Sequence, residues 1–560
     1  MTLRPSRLLA SLCICTALTA LAAPRAVLAA QAVGATAPAN PAAGGARAEA
    51  ARTATPIKHL VVIYDENVSF DHYFATYPHA ANPPGEPAFT ALPNTPAVNN
   101  LLAAKLLTNN PNFTNPENGA GAANPFRLDR TQAATADQEH TYTPEQLAYD
   151  HGKADLFPKY TGQGSPGGVG AFGTNGQVMG YYDGNTVTAL WNYAQHYAMS
   201  DAAYTDTYGP STPGALEVVA GQTNGVKILF SSKSSYYIPD GQGHDTLISD
   251  VDPGHDLCSK SSDQVMIDAK NIGDLLNQGG VSWGGFMGGF NPDNSHAIDC
   301  GHAIGSSVVA PSAAYIPHHN WFQYFTSTAN PLHRPTGGLE DVGFTFTPDG
   351  APDGANHEYD LNEFYAAVKA GNYPSVSYIK FDAYQDAHAG YSDPLDEQTA
   401  LVTLINFIES QPGWKNTAII VTYDDSDGWY DHAFTPPTRS SFNAKADQLD
   451  GPGKCGTGRQ PLGVAGKPVN GRCGPGTRIP FLVISPYAKP NFVAHNVITQ
   501  ASVVRFIEDN WLHGKRLGGG SFDASSGSIM DMFDFHDPHA AGKLTLDPAT
   551  GEPVSAAAKS

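Results

Sequence analysis

Ile57-Lys58-His59-Leu60-Val61-Val62-Ile63-Tyr64 is an apolar, β-branched run that breaks off abruptly into Asp65-Glu66-Asn67. A run of this kind suits a strand buried on both faces, with polar residues at its carboxyl end. Three similar runs follow at Val376 to Phe381, Ala418 to Tyr423 and Ile479 to Ser485. Between them, Thr186 to Ser200, Gln264 to Gln278, Asp396 to Gln411 and Ile498 to Leu512 carry apolar residues at helical spacing. Strands alternating with helices predict an α/β fold, a mainly parallel central sheet flanked by helices on both faces. Ligands of such sheets gather beyond the carboxyl ends of the strands. Glu66-Asn67 and Asp424-Asp425 fall there.

Working outward, 57 Gly and 43 Pro imply much loop. Segments 80–135, 160–180, 225–260, 285–360 and 435–475 read as long insertions roofing the strand ends, and no internal repeat is visible. Residues 1–29 hold Arg4 and Arg7, an apolar stretch and small residues near Ala29, the pattern of a signal peptide for export to the periplasm or beyond. Residues 30–55, rich in Ala, Gly and Pro, read as a flexible linker. The catalytic domain is expected over 56–515 and an irregular extension over 516–560. No later segment is long and apolar enough to span a bilayer, so stable membrane insertion is not expected.

The formal net charge is −21 and no run of Lys or Arg appears, which argues against a nucleic-acid partner. An acidic protein acting on anionic esters needs a local cation; solubility alone also explains an acidic surface. Beyond the signal, Cys258, Cys300, Cys455 and Cys473 form an even set. Two disulfides are the simplest reading, in any of three pairings; the sequential one would pin two loops at roughly 3–4 kcal/mol each. A zinc site would want a CxxC pair, and there is none.

Glu66, Asn67, Asp424 and Asp425 are hard oxygen donors at two strand ends, a common way to hold a divalent cation, although either pair alone reads as a cap or a turn. Ser211 stands between Gly209-Pro210 and Pro213, at a helix start where a phosphate would meet free N–H groups. Taken alone it reads as an N-cap in preference to a nucleophile.

Glu66-Asn67-Val68-Ser69-Phe70-Asp71-His72-Tyr73-Phe74 resembles the opening motif of the bacterial phosphoesterase family that holds AcpA-type acid phosphatases and phospholipases C. The resemblance continues through His140 to Gln146, Gly209 to Pro213, Pro317-His318-His319, Asp386 to Gly390 and Tyr423 to His432, in family order from about residue 57 to 515. It implies an alkaline-phosphatase-like three-layer sandwich and a phosphoric-ester hydrolase. It implies that Glu66, Asn67, Ser211, Asp424 and Asp425 bind a divalent metal ion of unknown identity, and that Ser211 is the nucleophile. It places His140, His318, His319 and His388 around the phosphoryl group, with the general acid drawn from His388 or His319. Asp71-His72 and Asp431-His432 are expected to support these groups. The pathway implied is a phosphoserine intermediate, with activity peaking below pH 7 where protonated imidazoles are required.

The substrates implied are small phosphate monoesters or phospholipid head groups. Family phospholipases C append further domains and often carry a twin-arginine signal, whereas Arg4-Pro5-Ser6-Arg7 stands here, so the preferred expectation is an acid phosphatase. A phospholipase C is the alternative, and a non-catalytic secreted binding protein the reading from another class. A sulfatase would want an Arg shortly after its Ser or Cys, and Ser211-Thr212-Pro213-Gly214-Ala215 lacks it.

Overall fold

The run that opens the folded chain forms β1 (His59–Asp65), and all of its residues are buried. The structure is a computed structural model describing residues 51–293, 298–537 and 542–554. The expected signal peptide and the expected linker up to residue 50 lie outside the described residues, as do residues 555–560. Within the linker's end, Ala54 N donates to Asn510 O at 2.9 Å, so ordered contacts begin ahead of Ile57.

Among the described residues the central sheet has eight strands: β1, β2 (Ala198–Ser200), β3 (Trp283–Met287), β4 (Glu358–Asp360), β5 (Val376–Lys380), β6 (Thr417–Tyr423), β7 (Phe481–Ile484) and β8 (Phe492–Ala494). Their order is β4-β3-β5-β1-β6-β7-β2-β8. Every neighbouring pair is parallel except the two made by β7. Strand β1 lies between β5 and β6, with Ile63 opposite Ile379 on one side and Asp65 opposite Tyr423 on the other. Three carboxyl ends therefore open at one level.

The site draws on α1 (Phe70–Phe74), α2 (Tyr142–Tyr149), α3 (Thr188–His196), α4 (Ser211–Ala220), α5 (Ile272–Gly279), α6 (Leu361–Lys369), α7 (Pro394–Ser410) and α8 (Ala501–Trp511), or packs beside them. Helices α4, α5 and α8 pack together, as do α3 and α7. Tyr64 donates to Gly214 O of α4 at 2.8 Å, while the next residue, Asp65, faces Glu397 of α7. Successive strand residues point to opposite faces, so the two helix groups cover the two sides of the sheet. That is why β1 and β6 read as unbroken apolar runs.

Two helical expectations need correction. In 186–200 the helix stops at His196, Tyr197 leaves helical geometry, and Ala198–Ser200 becomes β2. In 264–278, Gln264–Ile267 is a strand whose Val265 and Ile267 are buried while Gln264 and Met266 are partly exposed; Asn271 then opens α5 with a capping box. The period over 264–267 is two, and four residues are too few to override the helical pattern that follows. The segment 225–260 is more than loop. With Gln264–Ile267 it builds a five-stranded sheet, in the order Tyr237–Pro239, Asp245–Leu247, Asn224–Phe230, Gln264–Ile267, Asp252–Pro253. The cysteines pair sequentially, Cys258 with Cys300 and Cys455 with Cys473. The extension stays irregular yet packs: Leu546 is buried, Asn406 of α7 donates to its carbonyl at 2.8 Å, and Asn192 of α3 donates to Gly551 O at 2.8 Å. No helix of the described residues is long and apolar enough to cross a membrane.

Candidate active site

Ser211 is the first residue of α4, behind Gly209, whose φ of +127° favours glycine. Its Oγ donates to Glu66 Oε2 at 2.9 Å and lies 3.4 Å from both the Asn67 amide and Asp425 Oδ2. Glu66, Asn67, Ser211, Asp424 and Asp425 are all at most 1 % exposed. The helix is seated by Gly214, where a Cβ would come within 2.2 Å of Asp424 O. Gln500 completes the seat by donating to Tyr64 Oη and to Asp424 O, each at 2.6 Å. Glu145 of α2 joins the two loops of the site, accepting from Gly209 N at 2.9 Å and from Ser426 Oγ at 2.8 Å.

Burial and then Glu66 push the Asp424 carboxyl up to about 7; burial and then Asp424 raise Asp425 well above the carboxylate range. Carboxylates this close ionise together only when a cation sits among them. Asn67, held at φ +43°, has an amide of two uses. With its nitrogen toward Glu66 Oε2 at 2.7 Å and Asp424 Oδ1 at 3.0 Å, its oxygen takes the His388 Nε2 proton at 3.1 Å. Turned over, it adds a fourth oxygen side chain to the carboxylates. The donor set fits a hard divalent cation.

The four histidines converge. Ring centroids run 4.4 Å from His318 to His319, 6.0 Å from His319 to His388 and 6.1 Å from His388 to His140. Burial, reinforced by the neighbouring positive charges, holds His319 well below the ordinary histidine range, and burial brings His388 down to about 4. Burial opposes protonation of His140 too, but Asp425 and Asp427 outweigh it and hold that imidazole well above its ordinary range. Its Nδ1 is 2.7 Å from Gln138 O and its Nε2 is 3.4 Å from the Asn67 amide. His318 sits at the rim, with Nδ1 3.8 Å from Asp252 Oδ1.

The expected supports form a buried clamp: Arg478 pairs with Asp71 at 3.2 Å and with Asp431 at 3.1 Å, and His432 Nδ1 is 2.5 Å from Asp71 Oδ2. His72 stacks on Trp429 with centroids 3.9 Å apart. Two groups in the centre went unread in the sequence. Lys380, at the end of β5, pairs with Glu66 Oε1. Asp386 Oδ2 lies 3.8 Å from His319 Nδ1. A lysine closing a strand buried along its whole length was the available signal for the first. The Asp386 to Gly390 motif already contained the second.

A buried serine at a helix start among acidic and imidazole side chains is the equipment of an ester hydrolase, and comparison narrows the class. The description "Phosphoesterase family" matches residues 57–512, so the chain belongs to that family and is a hydrolase acting on phosphoric ester bonds. Phospholipase C A of Mycobacterium tuberculosis is 24% identical over 467 residues, which cover 81% of this chain and 72% of that one. Non-hemolytic phospholipase C of Pseudomonas aeruginosa is 23% identical over 476 residues, 81% of this chain and 54% of that one. A solved structure of Ps i-CgsB with k-i-k-neocarrahexaose shares 13% identity over 62% of this chain and 72% of that one, at a TM-score of 0.27, too low to bear on the fold.

Proposed function

We propose that the protein is an exported, metal-dependent phosphatase of alkaline-phosphatase-like fold that hydrolyses phosphate monoesters through a phosphoseryl Ser211. The observation that carries this reading is Ser211 Oγ at the start of α4, 2.9–3.4 Å from Glu66, Asn67 and Asp425. Glu66, Asn67, Asp424 and Asp425 would hold a divalent cation, which lowers the pKa of the serine hydroxyl and offsets phosphoryl charge. Of the first N–H groups of α4 the Ser211 N–H is the one left to receive a phosphoryl oxygen, since Thr212 N donates to Asp250 Oδ1 at 2.9 Å and Pro213 has none. Neutral His319 can donate to one of them without adding charge, whereas the single N–H of neutral His388 is already taken by Ala389 O or the Asn67 amide. His140 is the imidazole kept protonated by its surroundings, so we place the leaving-group proton on it in preference to His388 or His319. In the first step the ionised Ser211 Oγ, its proton already lost, bonds to P, the bond from P to the leaving oxygen breaks, and His140 protonates that oxygen. In the second, His140 takes a proton from water, the hydroxyl attacks phosphorus and the Oγ–P bond breaks.

The names of the relatives favour a second reading, a phospholipase C acting on phospholipid head groups. Hydrolysis of p-nitrophenyl phosphate against p-nitrophenylphosphorylcholine, with EDTA and Ser211→Ala as controls, separates the two. The expected result is preference for the monoester, lost in EDTA, with Ser211→Ala lowering kcat by at least roughly 10³-fold. Preference for the choline ester moves the assignment to phospholipase C. Turnover that survives Ser211→Ala removes the nucleophile.

A further inference from the structure

The N-terminus of α4 is already in use. Thr212 N, one peptide beyond Ser211, donates to Asp250 Oδ1 at 2.9 Å, and Pro213 has no N–H to offer. Asp250 lies in the 225–260 segment, on the link between the strands Asp245–Leu247 and Asp252–Pro253 of the five-stranded sheet. That link is fastened at several points. Leu247 N donates to Thr223 O at 3.0 Å and Ile248 N to Tyr236 O at 3.1 Å. Buried Val251 donates its N–H to Thr212 Oγ1 at 3.4 Å, and its carbonyl accepts from Tyr324 Oη at 2.6 Å. Among the described residues no cationic side chain pairs with Asp250, whereas Asp252 Oδ1, two residues on, has His318 Nδ1 3.8 Å away. A carboxylate without an ionic partner is thus held against the positive end of the helix that carries Ser211.

A phosphoryl group on Ser211 Oγ would stand one residue from Thr212, roughly 5–8 Å from Asp250 Oδ1 by covalent geometry. It has one helix N–H fewer to bind and a negative charge beside it. Repulsion grows with the product of the charges, so a dianion suffers about twice the penalty of a monoanion. We propose that Asp250 is a specificity-determining residue, whose carboxylate weighs against phosphoryl groups bearing two negative oxygens and so shifts the enzyme from monoesters toward diesters. The core supplies the nucleophile, and the insertion limits the charge of the ester. The inference rests on reading Ser211 as the residue that attacks phosphorus.

The test is Asp250→Asn, which keeps an oxygen for the Thr212 N–H, since Asn caps helices as well as Asp does, and removes the charge. The kcat/KM of the full-length protein is measured at pH 8 for p-nitrophenyl phosphate, a dianion there, and for methyl p-nitrophenyl phosphate, a monoanion with the same leaving group. An ester turned over too slowly is measured instead by its inhibition constant against the other. The ratio of monoester to diester is expected to rise about tenfold in Asp250→Asn. Asp250→Ser, a neutral cap, takes its place where circular dichroism shows the first variant unfolded. A ratio that falls, or that stays within about twofold of wild type because both esters change alike, overturns the proposal. Ser211→Ala, run beside it, is expected to abolish turnover of both esters; turnover that survives removes the reading of Ser211 and the proposal with it.

Discussion

Asp424 stands between two demands. Its carboxyl, buried beside Glu66, is pushed up to about 7, and a cation held there needs it ionised. Cation binding should therefore release a proton below that value: as pH falls through 7 the site fills with protons and affinity drops, by about tenfold per unit for one proton. Titrating Mn²⁺ calorimetrically at pH 6, in two buffers of different ionisation enthalpy, should give different heats; equal heats would count against the linkage. At this scale the sequence was readable where chemistry sits in contiguous motifs. Glu66, Asn67, Ser211, Asp424, Asp425 and the four histidines all meet in the structure. Lys380 was passed over because a strand reading assigns its residues to the core, and the exception becomes visible only when Glu66 is seen one strand away.

Helix α4 owes its position to contact with the backbone of the loop that carries Asp424, and Gly214 is where the two touch. Gly214→Ala puts a methyl group 2.2 Å from Asp424 O, so the helix, and Ser211 with it, must shift. A displacement of this order is expected to lower kcat by about 10²-fold with the protein still folded. Wild-type kcat in that variant would show that the seat tolerates movement. Strands β1, β5 and β6 were legible because each is buried on both faces and carries a run of β-branched and aromatic residues. Others were not: Ala198–Ser200 continues a helical pattern, Trp283–Met287 is interrupted by two glycines, and Glu358–Asp360 carries an acid at each end. Their identity as strands comes from their partners in the sheet, which a local pattern does not contain.

Over the whole molecule, buried acids decide how stability depends on pH. Burial pushes Glu145 and Glu217 up to about 8, and Glu363, Asp393, Glu397 and Asp424 up to about 7. A carboxyl raised in the folded state stabilises the fold while it is protonated, and that contribution is lost as pH rises through the folded value. Metal-free protein should therefore melt at higher temperature at pH 6.5 than at pH 8.5. The net charge of −21 works in the same direction by easing self-repulsion as acids take up protons. Below 6.5 the trend should flatten, because His72, down to about 3, and His357 and His388, down to about 4, resist protonation in the fold. A calorimetric Tm that falls between pH 8.5 and 6.5 would contradict this.

The neighbouring ends of β1 and β6 have one more consequence, for the chain while it is being made. Asn67 and its partner Asp424 are 357 residues apart in sequence, and the Arg478 clamp on the Asp71 and Asp431 loops comes later still. A ribosome that has synthesised the first four hundred residues has produced Ser211, all four histidines, Asn67 and one of the three acidic donors, Glu66, and no centre. Chains released early at any point before β6 would carry Ser211 without the groups that activate it. Hydrolytic capacity would thus appear in one step, late in synthesis, and incomplete translation products would be inert toward the cell's own phosphate esters.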